Sequence, residues 1–327
     1  LEFPSALEKR IVMQFQSTQH SLRGTRPTNQ DRVAIAERDN AVLLVLADGL
    51  GGHEGGALAA EALTQTLVRS FQAVRQPSIT KPSAFLALGI MQAHKNILAI
   101  GAAHTPPITP RTTCVACMVQ DGYAYWAHVG DSRLYHFRNG ELVQRTLDHS
   151  TTEQLRLDGL LSEEEMRGHP EKGHLLKCVG GPRKPTISLG EETALHRGDL
   201  LLLCSDGLWQ AFTHEQITRY LEFRSLEEGV EEMLLAAEAK MRADCDNLSA
   251  ICLRWQEGIT SNLPLQPLAQ KETSQQVMWD DARIKTAEER LTRDRKPAAA
   301  QKKESLEARI EELEEFIQQF EPKQHKP

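Results

Sequence analysis

A chain of 327 residues that is 40% hydrophobic and 25% charged has the makeup of a globular protein with one large domain or two small ones. Its net charge of −7, with no sustained basic stretch, sets nucleic acid aside as a partner. No apolar run approaches the roughly 18 to 20 residues that cross a bilayer, and the first residues lack a signal-peptide apolar region, so no membrane association is expected and the cytoplasm is the expected location. Residues 1–12 read as an N-terminal extension or an artificial remnant, since Met13 offers a natural start. From there to Trp255 strands and helices alternate. Residues 42–47 form a continuous apolar run, which predicts a strand buried on both faces, and residues 57–71 read as a helix. A second helical stretch over 86–100 is broken by T-P-P-I-T-P. Strands follow at 114–119, 123–129 and 133–138, with Asp121-Gly122 and Asn139-Gly140 as hairpin turns that make them antiparallel neighbours. Residues 151–169 read as a charged helix, 200–204 as a core strand, 227–243 as a helix and 248–255 as a last strand.

Beyond Glu257 the composition shifts to Gln, Lys, Glu, Pro and Ala, so residues 257–327 read as a linker and an amphipathic helical tail. Leu306, Ile310, Leu313, Ile317 and Phe320 share one helical face, too short a repeat for a coiled coil but suited to docking on a protein partner or on the chain's own domain. The cysteines are scattered, and only Cys114 and Cys117 fall at C-x-x-C spacing. They lie in a strand-forming run with no second pair, so buried strand residues are expected rather than zinc.

Aspartates at the ends of apolar runs carry the chemistry. L-L-V-L-A-D-G-L places Asp48 there, W-A-H-V-G-D-S-R places Asp131, and L-L-L-L-C-S-D-G-L places Asp206, while Asp246 in D-C-D-N-L-S stands just before the last strand. If such carboxylates converge within about 5 Å, each pair repels by about 3 kcal/mol at an effective dielectric near 20. Cations must then hold them together, and an all-oxygen ligand set selects Mg²⁺ or Mn²⁺. Asp48 is placed to bridge two cations, and Gly49 bends the chain so that its carbonyl faces the site. Water held between two cations is acidified and aimed at phosphorus. Upstream, S-L-R-G-T-R-P-T-N-Q-D supplies Arg26, whose fork suits a phosphate, with Gln30 and Asp31 beside it. A dinucleotide reading of A-D-G-L-G-G-H-E-G-G fails, because no second strand with its acidic residue follows the helix and Asp48 would repel a pyrophosphate.

R-P-T-N-Q-D, A-D-G-L-G-G-H, R-T-T, H-V-G-D-S-R, L-D-H-S, H-P, C-S-D-G-L-W and D-N-L-S stand in the order seen in the metal-dependent Ser/Thr protein phosphatases of type 2C, bacterial branch, which the chain resembles over about residues 18–255. The resemblance implies an α+β fold, a four-layer α-β-β-α sandwich of two antiparallel sheets flanked by helices, here with the C-terminal helical tail added. The catalytic domain is then 13–256, with a flap at about 149–183. It implies two Mn²⁺ or Mg²⁺ ions, with Asp48 bridging, the Gly49 carbonyl on the first ion and Asp206 and Asp246 on the second. Asp131 with Asp206 resembles a weaker third site. Arg26 resembles the phosphate clamp, His53 the leaving-group acid and Asp31 a further catalytic carboxylate, with Gln30 and Asn247 behind the ligands. Gln30 stands where many members carry Glu, Arg111 where glycine is common, and Ala57 where Glu often follows the glycine-rich loop. The implied activity is hydrolysis of phosphoserine and phosphothreonine proteins in one in-line step, opposing a Ser/Thr kinase. The competing reading is a catalytically weak phosphoprotein-binding module acting through its tail helix. His169 and His174 lie in the flap and read as loop anchors.

Overall fold

Alternation along the strands sorts the apolar residues into three layers, and the layers define the architecture. The computed structural model describes residues 13–51, 54–222 and 225–257. The chain opens with β1 (Phe15–Leu22), β2 (Arg32–Arg38), β3 (Ala41–Ala47) and the short β4 (Gly49–Leu50), then α1 (Glu54–Gln72) and α2 (Pro82–Ala103). It continues through β5 (Arg111–Thr112), β6 (Cys114–Gln120), β7 (Tyr123–Val129), β8 (Arg133–Arg138) and β9 (Glu141–Arg145) to α3 (Thr151–Leu157) and α4 (Glu163–Gly168). After β10 (Val179–Gly180), β11 (Ser188–Leu189), β12 (Thr193–Ala194) and β13 (Leu200–Cys204) come α5 (Asp206–Ala211), α6 (His214–Glu222), α7 (Leu226–Met241) and β14 (Leu248–Trp255).

One sheet has the order β1-β14-β13-β8-β9, the other β11-β7-β6-β3-β2, and all their pairings are antiparallel. In β3, Leu43, Val45 and Ala47 face α1 and α2, while Val42, Leu44 and Leu46 face the opposite sheet. There they meet Leu201, Leu203, Ile251 and Leu253 of β13 and β14. The other faces of those strands, Leu202, Cys204, Ala250 and Cys252, are covered by Leu208, Leu221, Val230 and Met233 from α5, α6 and α7. This is the four-layer sandwich that the resemblance implies, and each fully buried leucine contributes about 1.5–3 kcal/mol to it. Cys114 belongs to the layer under α1 and α2, Cys117 to the layer between the sheets. Three residues apart on a strand, the two thiols point to opposite faces, which rules out a shared metal.

The hairpins form as the dipeptides require: Asp121, Gly122, Asn139 and Gly140 all have positive φ, the geometry of a type I′ turn. They join β6 to β7 and β8 to β9, so the expectation that 123–129 and 133–138 are neighbours fails: residues 130–132 carry the chain from one sheet to the other. Other expectations shift. α2 starts four residues earlier than its apolar pattern, because Pro82 fits the first helical turn. It is long and apolar enough to cross a bilayer by length and composition, against the sequence expectation, but Leu86, Ile90 and Ile97 bury it in the core beside α1. The helix expected over 151–169 is two helices: Gly159 takes φ 73°, and Ser162 restarts the helix with a capping box to Glu165. The extension at 1–12, the tail helix at 306–320 and His53 lie outside the described residues.

Candidate metal centre

Topology brings the expected carboxylates to strand ends that share an edge. β3 and β7 both pair antiparallel with β6, so they run parallel and end together, with Asp48 after one and Gly130-Asp131 after the other. In the opposite sheet β13 ends where β14 begins, placing Asp206 beside Asp246. Hydrogen bonds join the two halves of the sandwich at this end. Ser205 Oγ donates to Asp31 Oδ2 at 2.8 Å, and Trp209 Nε1 donates to the Asp131 carbonyl at 2.9 Å.

Each turn is pinned by its neighbours. The Asp48 N–H donates to Thr113 Oγ1 at 2.9 Å, while its carbonyl accepts from the Thr113 N–H at 2.8 Å and from Thr112 Oγ1 at 2.9 Å. Gly49 then pairs with Thr112 in a small sheet of order β10-β5-β4. A Cβ on Gly49 would lie 2.4 Å from the Gly56 carbonyl oxygen, so only glycine lets the first turn of α1 close on this loop. The Gly130 N–H donates to His149 Nδ1 at 3.2 Å, which leaves Nε2–H to donate to Ser188 Oγ at 2.8 Å. His149 is thus a neutral imidazole, and burial, with His128 and Lys177 nearby, pushes its pKa down to about 2.

Asp206 opens α5, and Gln210 one turn later donates to its Oδ2 at 2.8 Å. Asp246 accepts from the Asn247 N–H on Oδ1 at 2.8 Å and from Arg26 Nη2 on Oδ2 at 2.7 Å. Asn247 takes the Gln30 N–H at 2.8 Å and donates to the carbonyls of Arg23 and Thr28, tying the R-P-T-N-Q-D loop to the start of β14. Asp31 and Asp131 are buried, whereas Asp48, Asp206 and Asp246 keep part of their surface open to solvent. Among the sequence-expected residues, Arg26, Gln30, Asp31, Asp48, Gly49, Asp131, Asp206, Asp246 and Asn247 therefore gather at one end of the sandwich. His169 instead accepts from the Glu171 N–H in its own loop, and His174 bonds to Thr151 at the start of α3.

The carboxylates share one electrostatic field. Burial first, then repulsion from Asp31, Asp206, Asp131 and Asp246, holds Asp48 well above the usual carboxylate range. Asp206 is raised likewise by burial, then by Asp131, Asp246 and Asp31. Burial brings Asp31 to about 6, and burial with Asp148 nearby brings Asp131 to about 7. Asp31 Oδ1 is buried without a hydrogen-bond partner. Among the described residues no three such side chains already surround one point at ligand distance. Arg26 occupies one oxygen of Asp246 and Gln210 one of Asp206. The donor chemistry nonetheless fits hard divalent cations: oxygen ligands, excess negative charge, and an orphaned buried oxygen.

Sequence reasoning overlooked the groups that hold these carboxylates. Ser205, Trp209 and Gln210 follow in C-S-D-G-L-W-Q, Thr112 and Thr113 lie in R-T-T, and His149 in L-D-H-S. The signal was present, since each lies within the same short stretches.

A family model described as Protein phosphatase 2C matches residues 18–244. The chain is 30% identical over 217 residues to a serine/threonine phosphatase, stp, of Listeria welshimeri, covering 65% of this chain and 86% of that protein. Among solved structures, a serine/threonine phosphatase of S. agalactiae superposes with a TM-score of 0.68 at 26% identity, covering 75% of this chain and all of that one. The catalytic domain of the serine/threonine protein phosphatase PstP, in complex with two manganese ions, superposes with a TM-score of 0.63 at 26% identity over 74% of this chain and 99% of that one.

Proposed function

From the premise that this chain belongs to the protein phosphatase 2C family, we propose that the Asp48, Asp131, Asp206 and Asp246 cluster is the centre at which it hydrolyses phosphoserine and phosphothreonine. The protein is a metal-dependent serine/threonine phosphatase whose cofactor is a dinuclear Mn²⁺ or Mg²⁺ centre. When bound, the two ions supply an acidified, oriented water as nucleophile and neutralise charge on the phosphoryl oxygens. The observation that carries the assignment to these residues is the convergence of carboxylates from separate strand ends into one field, in which Asp31, Asp131 and Asp246 raise the pKa of both Asp48 and Asp206.

The chain's own residues prepare this arrangement. Asp48, the Gly49 carbonyl, Asp206 and Asp246 would hold the two ions, with Asp131 at a weaker third position. Asn247 and Gln30 fix the loop behind Asp246, and Ser205 holds Asp31 in place. Arg26, at the rim and 55% exposed, is placed to receive a phosphate by exchanging its bond to Asp246 for one to the substrate. His53 would protonate the leaving hydroxyl oxygen.

Phosphorylated proteins are the substrates of such an enzyme. A Ser/Thr kinase as its opponent, the cytoplasm as its location, residues 13–256 as its catalytic unit and a protein partner for the tail helix at 306–320 belong to this proposal. The names of the relatives described above favour turnover over the binding-module reading. The test is phosphate release from a phosphothreonine peptide with Mn²⁺, with Mg²⁺ and with chelator, beside Asp206→Asn. Metal-dependent release lost in the variant is expected. Near wild-type activity of Asp206→Asn at saturating Mn²⁺ would refute the assignment.

A further inference from the structure

Between the carboxylate cluster and helices α3 and α4 lies a guanidinium that the chemistry above does not use. Arg133 of β8 is 1% exposed. Its Nε and Nη2 donate to the two carboxylate oxygens of Asp148 at 2.9 and 2.8 Å. Its Nη1 donates to the Tyr135 hydroxyl at 2.9 Å and reaches Glu163 Oε1 on α4 at 3.4 Å. Its plane rests on Trp209, the guanidinium carbon 3.8 Å from the ring centroid. Trp209 in turn donates its Nε1–H to the Asp131 carbonyl at 2.9 Å. A lysine offers neither the fork nor the flat face, so these contacts together demand arginine.

The segment that α3 and α4 belong to is rooted on the same turn. The His149 N–H donates to the Gly130 carbonyl at 2.9 Å while Gly130 N–H donates to the His149 ring. Arg145 of β9 supports the helices from the neighbouring strand, donating to both oxygens of the buried Glu153 on α3 at 3.2 Å and lying 3.8 Å from Glu163. At its far end Val179–Gly180 pairs with β5, which pairs with the Gly49 strand. A buried, fully engaged ion pair is rigid, and losing one partner leaves a charge without compensation. The position of α4 and that of the Asp131 main chain are therefore set from one fixed point.

We propose that Arg133 is a positioning residue that fixes the Asp131 turn through Trp209 and helix α4 through Glu163, so that Glu163 governs how the enzyme receives phosphoprotein substrates. The proposal rests on the phosphatase reading above. Three substitutions in the full chain take the joint apart. Trp209→Phe keeps a ring over Arg133 and removes the donor to Asp131. Glu163→Gln removes the α4 carboxylate that faces Arg133 and Arg145 and leaves Trp209 untouched. Arg133→Lys keeps the charge and removes the fork.

The readouts are hydrogen exchange over residues 151–168, which needs no turnover, and kcat and KM with Mn²⁺ for an aryl phosphate and for a phosphothreonine peptide. Trp209→Phe should lower kcat on both substrates by about 3- to 10-fold, the span to which one hydrogen bond's net strength converts, with exchange in α4 unchanged. Glu163→Gln should speed exchange in α4 and raise the peptide KM, each by about 3-fold or more, while aryl phosphate kinetics stay at the wild-type level. Arg133→Lys should do both. Wild-type exchange in Glu163→Gln, or faster exchange with unchanged kcat in Arg133→Lys, would reduce Arg133 to a packing role and overturn the proposal. Should Arg133→Lys fail to fold, Arg145→Gln joins the other two variants: wild-type exchange in α4 there with faster exchange in Glu163→Gln supports Arg133, and faster exchange in both overturns its role at α4. Should the wild type release no phosphate from either substrate, the phosphatase reading fails, and hydrogen exchange still decides whether Glu163 ties α4 to Arg133.

Discussion

Replacing Arg26 by alanine should move two measurements in opposite directions. The guanidinium donates to Asp246 Oδ2 at 2.7 Å, with side chains 55% and 37% exposed, and Asp206 and Asp48 add to the negative field around it. Without bound cations Arg26 is thus a counter-charge for a carboxylate that the metal also needs. An ion pair this exposed contributes about 0.2–1 kcal/mol, so its removal should tighten Mn²⁺ binding by about 1.4- to 5-fold in phosphate-free buffer. The same substitution deletes a charge-assisted bond to the substrate phosphate, about 1.5–3 kcal/mol, which converts to a KM about 10- to 150-fold higher with kcat much less affected. Calorimetric Mn²⁺ titration of wild type, Arg26→Ala, Asp246→Asn and the double variant isolates the first effect, and Michaelis curves on a phosphothreonine peptide give the second. In the Asp246→Asn background, losing Arg26 should no longer change the metal affinity. Mn²⁺ binding that is unchanged or weaker in Arg26→Ala would refute competition for Asp246, and an unchanged KM would remove Arg26 from phosphate binding.

Gly49→Ala should cost both stability and activity. The added Cβ would meet the Gly56 carbonyl oxygen at 2.4 Å, a backbone atom that must shift, so about 1–3 kcal/mol of stability is expected to go while Mn²⁺-dependent turnover falls by about two orders of magnitude. Thermal unfolding and kcat measured side by side check this, and wild-type kcat would show that the loop tolerates the shift. At the opposite end of β8 and β13, burial would raise Asp199, but hydrogen bonds from Arg138 and His136 outweigh it and hold its pKa at about 2. The folded value lies below the unfolded 3.8, so the unfolded chain takes up the proton first as pH falls. The contribution, about 2 kcal/mol, is present above pH 3.8 and should be lost between there and pH 2. Urea unfolding across that window should show a flatter slope in Asp199→Asn, and an equal slope would dismiss the ion pair as its source.

What the sequence reveals and what it conceals both follow from range. Val42 to Leu46 and Leu200 to Cys204 announce themselves because burial on both faces demands unbroken apolar runs, and the aspartates after them stand out because a carboxylate is costly there. β1, F-Q-S-T-Q-H-S-L, escapes notice because an edge strand with one partner carries a mixed, half-exposed pattern. α3 and α4 merge in the sequence because helix-favouring Leu160 and Leu161 follow Gly159, whereas in the fold Gly159 turns with positive φ and Ser162 caps a new helix. α5 and α6 are missed because they are short, six and nine residues, and α6 follows α5 after only two. The clearest limit is the Arg133, Trp209 and Asp131 assembly. Arg133 and Trp209 stand in the motifs H-V-G-D-S-R and C-S-D-G-L-W, but nothing local says that one stacks on the other at 3.8 Å. Ligand candidates are thus legible from their own strands, one at a time. How the groups that hold them are positioned becomes visible only when β8, which ends at Arg138, and α5, which begins at Asp206, are folded against each other, so a sequence motif can name the ligands of such a centre while leaving their positioning to the fold.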